Sequence, residues 1–399
     1  MTKRVLHVIP RLGHGGAEHQ LLMNVERLDR DMFESHVCHL FPNRALVSGF
    51  EDAGVPVHSA EVRGPLGVPG RVLKLARLIR SLKIDLVHTS NFHGEFYGGL
   101  AGRLAGVPVV GTLTNTAYER VRLQDDPNLN PAKLFAVRQI RKQVNRRTHG
   151  RFVAISEYVK ESTLRELRIS PDLVRVIYRG LPRDDGGQVA RDPELVASLG
   201  LEDAFPVLLN VGRLVPQKGQ RYLVEAMPEV LKAHPKARLL IVGSGFLEDD
   251  LKALSDRLGL DGSVQFLGRR DDVPDLMGVA DMFVFPSLFE GLGVSLLEAC
   301  SAGKACVATN VGPLPEVIED GKSGVLVAPQ DAAGLAGAIN RLAGDVELME
   351  SLGREARRVA GRKFLIDRSV EQLESLYSDV LQVDAGVAVT SDFAKKKLG

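Results

Sequence analysis

The sequence predicts an α/β chain built as two Rossmann-like domains that face each other across a cleft. Three observations predict it. Short apolar runs alternate with amphipathic helical stretches through both halves. Each half opens on a strand that runs into a glycine-containing basic loop. The alternation breaks once, in "RGLPRDDGGQVARDPELVASLG", where Gly, Pro and charge displace it. At 399 residues the chain is too long for one compact core, and its 44% hydrophobic and 25% charged residues are ordinary for a globular protein.

In the first half the strands are "VLHVIP", "DLVHTS", "VPVVGTL" and "RFVAIS". In the second they are "VLLNVG", "ARLLIVG", "VQFLG", "DMFVFPS" and "ACVAT". Strands that are apolar on both faces belong in parallel sheets covered by helices on both sides. The expected division is a first domain over 1–180, a linker over 181–203 and a second domain over 204–382, whose last helix is placed to pack back on the first. A flexible tail, 383–399, follows. Open α/β sheets bind ligands beyond the C-terminal ends of their strands, so both basic loops are expected at the cleft.

Several classes are excluded. Cys38, Cys300 and Cys306 are odd in number and fit no metal spacing, which favours a reducing cytoplasm over a disulfide framework. "MTKRVLHVIPRLG" has too short an apolar stretch for a signal peptide, and no uncharged apolar run approaches the length of a membrane span. "VGSG" at Val242 to Gly245 lacks the third glycine of a dinucleotide fingerprint, and "DGKSG" at Asp320 to Gly324 lacks the first glycine of a P-loop, so it reads as a turn. Asp29 and Asp31 form an Asp-x-Asp pair where a helix gives way to a strand, which reads as a turn cap, and no metal site is inferred.

The chemistry concentrates in three places. After "VLLNVG", Arg213 and Lys218 flank a short loop that ends at a helix N-terminus, an arrangement suited to a diphosphate or, on the plainer reading, a solvated turn. Gly15 and Gly16 open the first helix and let backbone N–H groups approach an anion. In "FPSLFEGLGVSLLEAC", Glu290 and Glu298 are separated by seven residues inside an otherwise apolar segment. A carboxylate is costly to bury unless something donates to it, and a ligand rich in hydroxyls, such as a sugar or a ribose, would do so. The alternative for Glu298 is a buried structural acid paired with an arginine.

Taken together, Glu290-x7-Glu298, Arg213-x4-Lys218, Gly15-Gly16 and the run "GKACVATNVGPLPEVIEDGKSGVLVAPQD" resemble the family 4 retaining glycosyltransferases, which have the GT-B fold. The resemblance covers the chain from Val5 to about Leu381. It implies transfer of a sugar from a nucleotide-diphosphate donor to an acceptor hydroxyl, with retention at the anomeric carbon and without metal or other cofactor. It further implies that Arg213 and Lys218 hold the diphosphate, Glu298 the ribose and Glu290 the donor sugar. The backbone of Gly291, Leu292, Gly293 and Val294 would face sugar and phosphates, and Gly16 would approach the diphosphate from the other domain. Attack on the face from which the diphosphate leaves is the mechanism the resemblance carries.

Two departures bear on the acceptor side. Thr114 and Asn115 stand where many members carry a histidine, and Arg179-Gly180 stands where Asn-Gly is common. His93 lies on an early loop at the same sheet edge and is a candidate contact. Charge is also divided: residues 1–180 hold 27 Lys and Arg against 17 Asp and Glu, leaving 24 against 33 for the remainder. A helical wheel of "RVLKLARLIRSLK" puts Lys74, Arg77 and Arg80 opposite an apolar face with Arg71 at its margin, and "KLFAVRQIRKQVNRRTHGR" adds seven cations. These read either as solvated helix faces or as contacts for an anionic membrane surface or a glycan or diphosphate-lipid acceptor. Nucleic acid has neither a fold motif nor interleaved aromatics behind it. Two other functional classes fit parts of the pattern: a nucleotide-sugar epimerase of the same fold, against which the Glu-x7-Glu pair argues, and a non-catalytic nucleotide-sugar-binding subunit.

Overall fold

The computed structural model describes all residues except 1, 14, 63–66, 115–129, 183–189 and 387–399. Asn115, part of the linker and most of the expected tail therefore lie outside the described residues. Two all-parallel sheets form the frame. The first contains β1 (Lys3–Ile9), β2 (Phe33–His39), β3 (Val57–Ser59), β4 (Leu86–Ser90), β5 (Val109–Leu113), β6 (Arg151–Ala154) and β7 (Val174–Val176), in the order β3-β2-β1-β4-β5-β6-β7. The second contains β8 (Val207–Val211), β9 (Arg238–Val242), β10 (Val264–Gly268), β11 (Met282–Phe285), β12 (Ala305–Thr309) and β13 (Val325–Val327), in the order β10-β9-β8-β11-β12-β13.

Strand order reverses between β1 and β4 in the first sheet and between β8 and β11 in the second. At such a point the following helices leave on opposite faces and the strand ends part, opening a crevice. The loops after β1 and β4 and after β8 and β11 are therefore the ones the fold offers to ligands. Every strand named from the sequence is present, and β2, β3, β7 and β13 are additional.

The expected linker differs in its second half. The helix Pro193–Ser198 is capped by Asp192, Val196 and Leu201 lie in the same buried core as Val207, Leu209 and Phe283, and the Leu199 carbonyl accepts from the Gln265 side chain at 3.0 Å. Those apolar side chains make this stretch part of the second domain. The last helix, Ile366–Gly386, packs on the first sheet through Val370, Leu373, Leu376 and Tyr377, which share a core with Val5, Ile9, Leu21 and Phe33. Tyr377 reaches far enough under the sheet to place its hydroxyl 2.5 Å from His88 Nδ1.

One carboxylate ties the two halves together at the cleft. Glu316, from the second domain, accepts hydrogen bonds from the backbone N–H groups of Glu157 (2.9 Å) and Tyr158 (2.8 Å), and from the Tyr178 hydroxyl (2.8 Å). Glu157 and Tyr158 open the helix Glu157–Leu167, whose free N–H groups and dipole favour a negative charge. Beside it, Ser156 Oγ donates to the Gly291 carbonyl at 2.9 Å. Gly291 needs to be glycine, since a methyl group there would lie 2.1 Å from the Thr114 carbonyl oxygen.

Removing Glu316 leaves two helix N–H groups and a hydroxyl without their acceptor. Glu316→Ala should lower stability to denaturant by about 1–3 kcal/mol and loosen the cleft. Scattering should then give a larger radius of gyration than the parent. An unchanged midpoint together with an unchanged radius would show that this carboxylate does not hold the domains.

Candidate active site

The loops at the second switch point are fastened to each other. The loop after β8 carries Arg213 and a single 3-10 turn over Pro216–Lys218, followed by Gly219 and the helix Gln220–Ala233. Its Gln217 side chain donates to the Phe289 carbonyl at 2.9 Å, and its Gln217 carbonyl accepts from Leu288 N at 2.8 Å. Phe289 and Leu288 belong to the loop after β11. Lys218 is thereby carried to Glu290: Nζ donates to Oε1 at 2.5 Å and lies 5.0 Å from the Phe285 ring centroid. Glu290 is only 7% exposed. Arg213 is exposed, and among the described residues its side chain makes one long hydrogen bond, to Gln217 Oε1 at 3.4 Å, so most of its donors are uncommitted.

After Glu290 the chain passes Gly291, turns at Gly293 with φ 88°, a conformation that L side chains rarely adopt, and enters the helix Val294–Ser301. Leu292 is buried in the core. The N–H groups of the first helical turn are the ones this geometry aims outward.

The first domain closes over that turn. Gly15 caps the helix Gly16–Arg27, and a methyl group on Gly16 would lie 3.8 Å from Val294 Cγ2 and 3.6 Å from Arg179 Nη1. The two glycine loops thus meet face to face. Arg179 is the site residue that sequence reading noted only as a departure. Its guanidinium sits within the fields of Glu18 and Glu290, and burial pulls its pKa down to about 10 against the pull of both carboxylates, leaving it charged at neutral pH. Burial raises the Glu18 carboxyl, which its backbone hydrogen bond and Arg179 lower in part.

Glu298 lies apart from Glu290. It is half-buried on the wall of a cavity of about 300 Å³ shared with Leu181, Pro182, Val273, Pro274, Met277, Ser301 and Ala302. Among the described residues no arginine pairs with it, contrary to the structural-acid reading, and desolvation pushes its pKa up to about 7. An unpaired acid facing a cavity is poised to accept from a ligand hydroxyl.

In the first domain, Thr114 Oγ donates to Asn91 Oδ1 at 2.7 Å, and its carbonyl abuts Gly291. His93 stands in the first turn of the helix Asn91–Ala105, exposed, with its ring edge-on to Phe41 at 5.2 Å between centroids. The basic stretches are less available than their composition implies. Arg141 donates to both oxygens of the buried Glu95, and Arg138 pairs with Glu166 at 2.6 Å. Asp29 serves the turn expected of it, accepting from Asp31 N at 2.8 Å. Among the described residues, no helix is long and apolar enough to cross a membrane.

A family model described as Glycosyltransferase Family 4 matches residues 14–185, and one described as Glycosyl transferases group 1 matches 192–359. An Escherichia coli enzyme named UDP-Gal:alpha-D-GlcNAc-diphosphoundecaprenol alpha-1,3-galactosyltransferase is 28% identical over 78% of this chain and 79% of its own. The Bacillus anthracis N-acetyl-alpha-D-glucosaminyl L-malate synthase is 27% identical over 78% and 79%. Among solved structures, Anabaena HepE in complex with UDP-glucose superposes with a TM-score of 0.80 at 25% identity, over 94% of this chain and 99% of that one. The two family models divide at the break between the sheets, and together with the two facing switch points they identify the chain as a GT-B glycosyltransferase of the family 4 type.

Proposed function

We propose that the cleft moves a hexose from a nucleoside-diphosphate donor to an acceptor hydroxyl with retention and without a metal ion. The observation that carries the reading is the Lys218–Glu290 pair at the second switch point, with Gly16 and Arg179 closing over it from the other domain. Lys218 has three donor protons and spends one on Glu290, so others remain for a phosphate oxygen. Arg213 supplies a second cation and the turn Gly291 to Val294 supplies N–H groups. As the glycosidic bond breaks, charge grows on the leaving diphosphate, and these groups stabilise it more in the transition state than in the ground state. That is the role a divalent ion would otherwise take.

Glu290 orients the donor sugar's hydroxyls and offsets positive charge developing at the anomeric carbon. Because Lys218 holds it in place, it is a poor candidate for the nucleophile of a double displacement. Attack from the face that the diphosphate vacates, with the diphosphate taking the acceptor's proton, fits the geometry better. Glu298 takes the ribose hydroxyls in its cavity. HepE's complex with UDP-glucose and the UDP-Gal used by the E. coli relative favour a uridine donor. The latter's diphosphoundecaprenol acceptor favours a lipid-linked or membrane-surface glycan as acceptor here. Exposed Phe135 and Ile140, beside the exposed Arg146 and Arg147 on one helix, would let the first domain rest on an anionic membrane.

A thermal-shift panel of UDP-, GDP- and ADP-sugars tests the donor, because a ligand at about 100 times its Kd stabilises by about 2.7 kcal/mol. Lys218→Ala and Arg213→Ala should each slow transfer by roughly 10²–10³ with little change in stability. Transfer at the parental rate in either variant would place the diphosphate elsewhere.

Glu298 gives a pH signature. Its folded pKa, about 7, lies above its unfolded value of 4.5, so between them the folded protein holds a proton that the unfolded chain has released. Stability from this group falls as pH rises through that window. Glu298→Gln should therefore melt higher than the parent at about pH 8 and much the same at about pH 4.5. Affinity of the parent for nucleotide-sugar should rise with pH across neutrality, since ribose hydroxyls bind the carboxylate, whereas the variant's should be weaker and flat. A variant with parental affinity at every pH would remove Glu298 from the ribose site.

A further inference from the structure

The transferase reading fills the switch point of the second domain and leaves open what occupies the one in the first. Four side chains meet there from four segments. Arg11 follows β1, Phe41 follows β2, His93 opens the helix after β4, and Arg71 reaches in from the helix Gly67–Ser81. The Phe41 ring is their hub: the Arg71 guanidinium lies 4.7 Å from its centroid, that of Arg11 5.6 Å, and the His93 ring 5.2 Å. Arg71 also lies 5.0 Å from the Tyr97 ring centroid and donates to the Tyr97 hydroxyl at 3.2 Å.

Nothing among the described residues neutralises this group. Neither Arg11 nor Arg71 has a carboxylate partner there, and the Glu61 carboxylate at this corner of the domain is taken by Arg44 at 3.2 Å and His39 at 3.4 Å. Arg71 Nε is buried and makes no hydrogen bond. Burial first, and then the fields of Arg11 and Arg71, hold His93 below the usual histidine range. Convergent cations repel one another, and the loss is recovered when an anion enters. Contact with Phe41 and Tyr97 holds the Arg71 guanidinium in place before an oxyanion arrives.

We propose that Arg11, Arg71 and His93 form a subsite for a phosphate or diphosphate group of the acceptor. The proposal rests on the transferase reading and narrows it, since a neutral glycan would leave these cations unpaired. Placement supports the acceptor rather than the donor. Arg11 begins the loop that ends at Gly15 and Gly16, and His93 lies two residues beyond Asn91, which accepts from Thr114, whose carbonyl abuts Gly291. An acceptor anchored here by its phosphate presents its hydroxyl across the point where the two glycine loops meet.

The test saturates the protein with whichever of UDP, GDP or ADP binds, filling the donor site, and then titrates glucose 1-phosphate and, separately, farnesyl diphosphate by calorimetry. Saturable binding of at least one is expected, weakened roughly tenfold or more in Arg71→Gln and in Arg11→Gln, with nucleotide affinity unchanged. Binding of the farnesyl compound alone assigns a lipid-linked acceptor, and binding of the sugar phosphate alone a soluble one. A merely structural Arg71 would lower the melting temperature of Arg71→Gln and leave phosphate affinity intact, which overturns the proposal. Absence of phosphate binding to the parent overturns it as well. The nucleotide titration is read separately, so failure of the donor site is distinguishable from failure of this one.

Discussion

A lysine and a glutamate 2.5 Å apart, the glutamate 7% exposed, occupy the centre of this molecule, and such a pair is a poor way to gain stability. Removing two charges from water costs several kcal/mol per ion, which their attraction scarcely recovers. The chain nevertheless builds much around them. Gln217 staples the two loops that carry them, Asn210 ties β8 to β11 beneath by donating to the Val284 carbonyl at 2.8 Å, and Phe285 supports the lysine's face. Such investment is intelligible if the pair fixes position: each partner holds the other where a ligand will need it, before the ligand arrives.

The facing domain completes the field. Arg179 lies where it feels both Glu18 and Glu290, so the cleft holds alternating charges contributed by both domains. On the proposed reading, a donor's diphosphate would meet cations from both domains and its sugar a carboxylate. The two domains are joined by Glu316 on the helix Glu157–Leu167 and, directly beside Glu290, by Ser156 on Gly291. Beside these polar contacts, Leu113, Ile155 and Val159 of the first domain share a buried apolar cluster with Leu292, Leu314 and Val317 of the second.

Much of this was legible in the sequence where one residue's chemistry decides the outcome. Apolar strands such as "VLLNV" announce a buried parallel sheet, and the wheel that put Arg71 at the margin of its helix placed it correctly beside the apolar face. What escaped depends on partners distant in the chain. β2, with Glu34, Ser35, His36 and His39, reads as polar, yet His36 and His39 are buried because His58, Glu34 and Glu61 pair with them. β3, β7 and β13 have three residues each, too few for a period to show. A count of cations in "KLFAVRQIRKQVNRRTHGR" could not reveal that Arg141 is spent on Glu95. The Arg11, Arg71 and His93 cluster draws on segments that only strand order brings together.

The proposed transfer divides the labour of the cleft, with Glu290 serving the sugar and other groups holding the nucleotide. That division can be read by setting the effect of Glu290→Gln on transfer from the preferred nucleotide-sugar beside its effect on affinity for the free nucleoside diphosphate. Transfer should fall by roughly 10² or more while nucleotide affinity changes by less than about tenfold. Parental transfer, or a loss of nucleotide affinity as large as the loss of transfer, would contradict it.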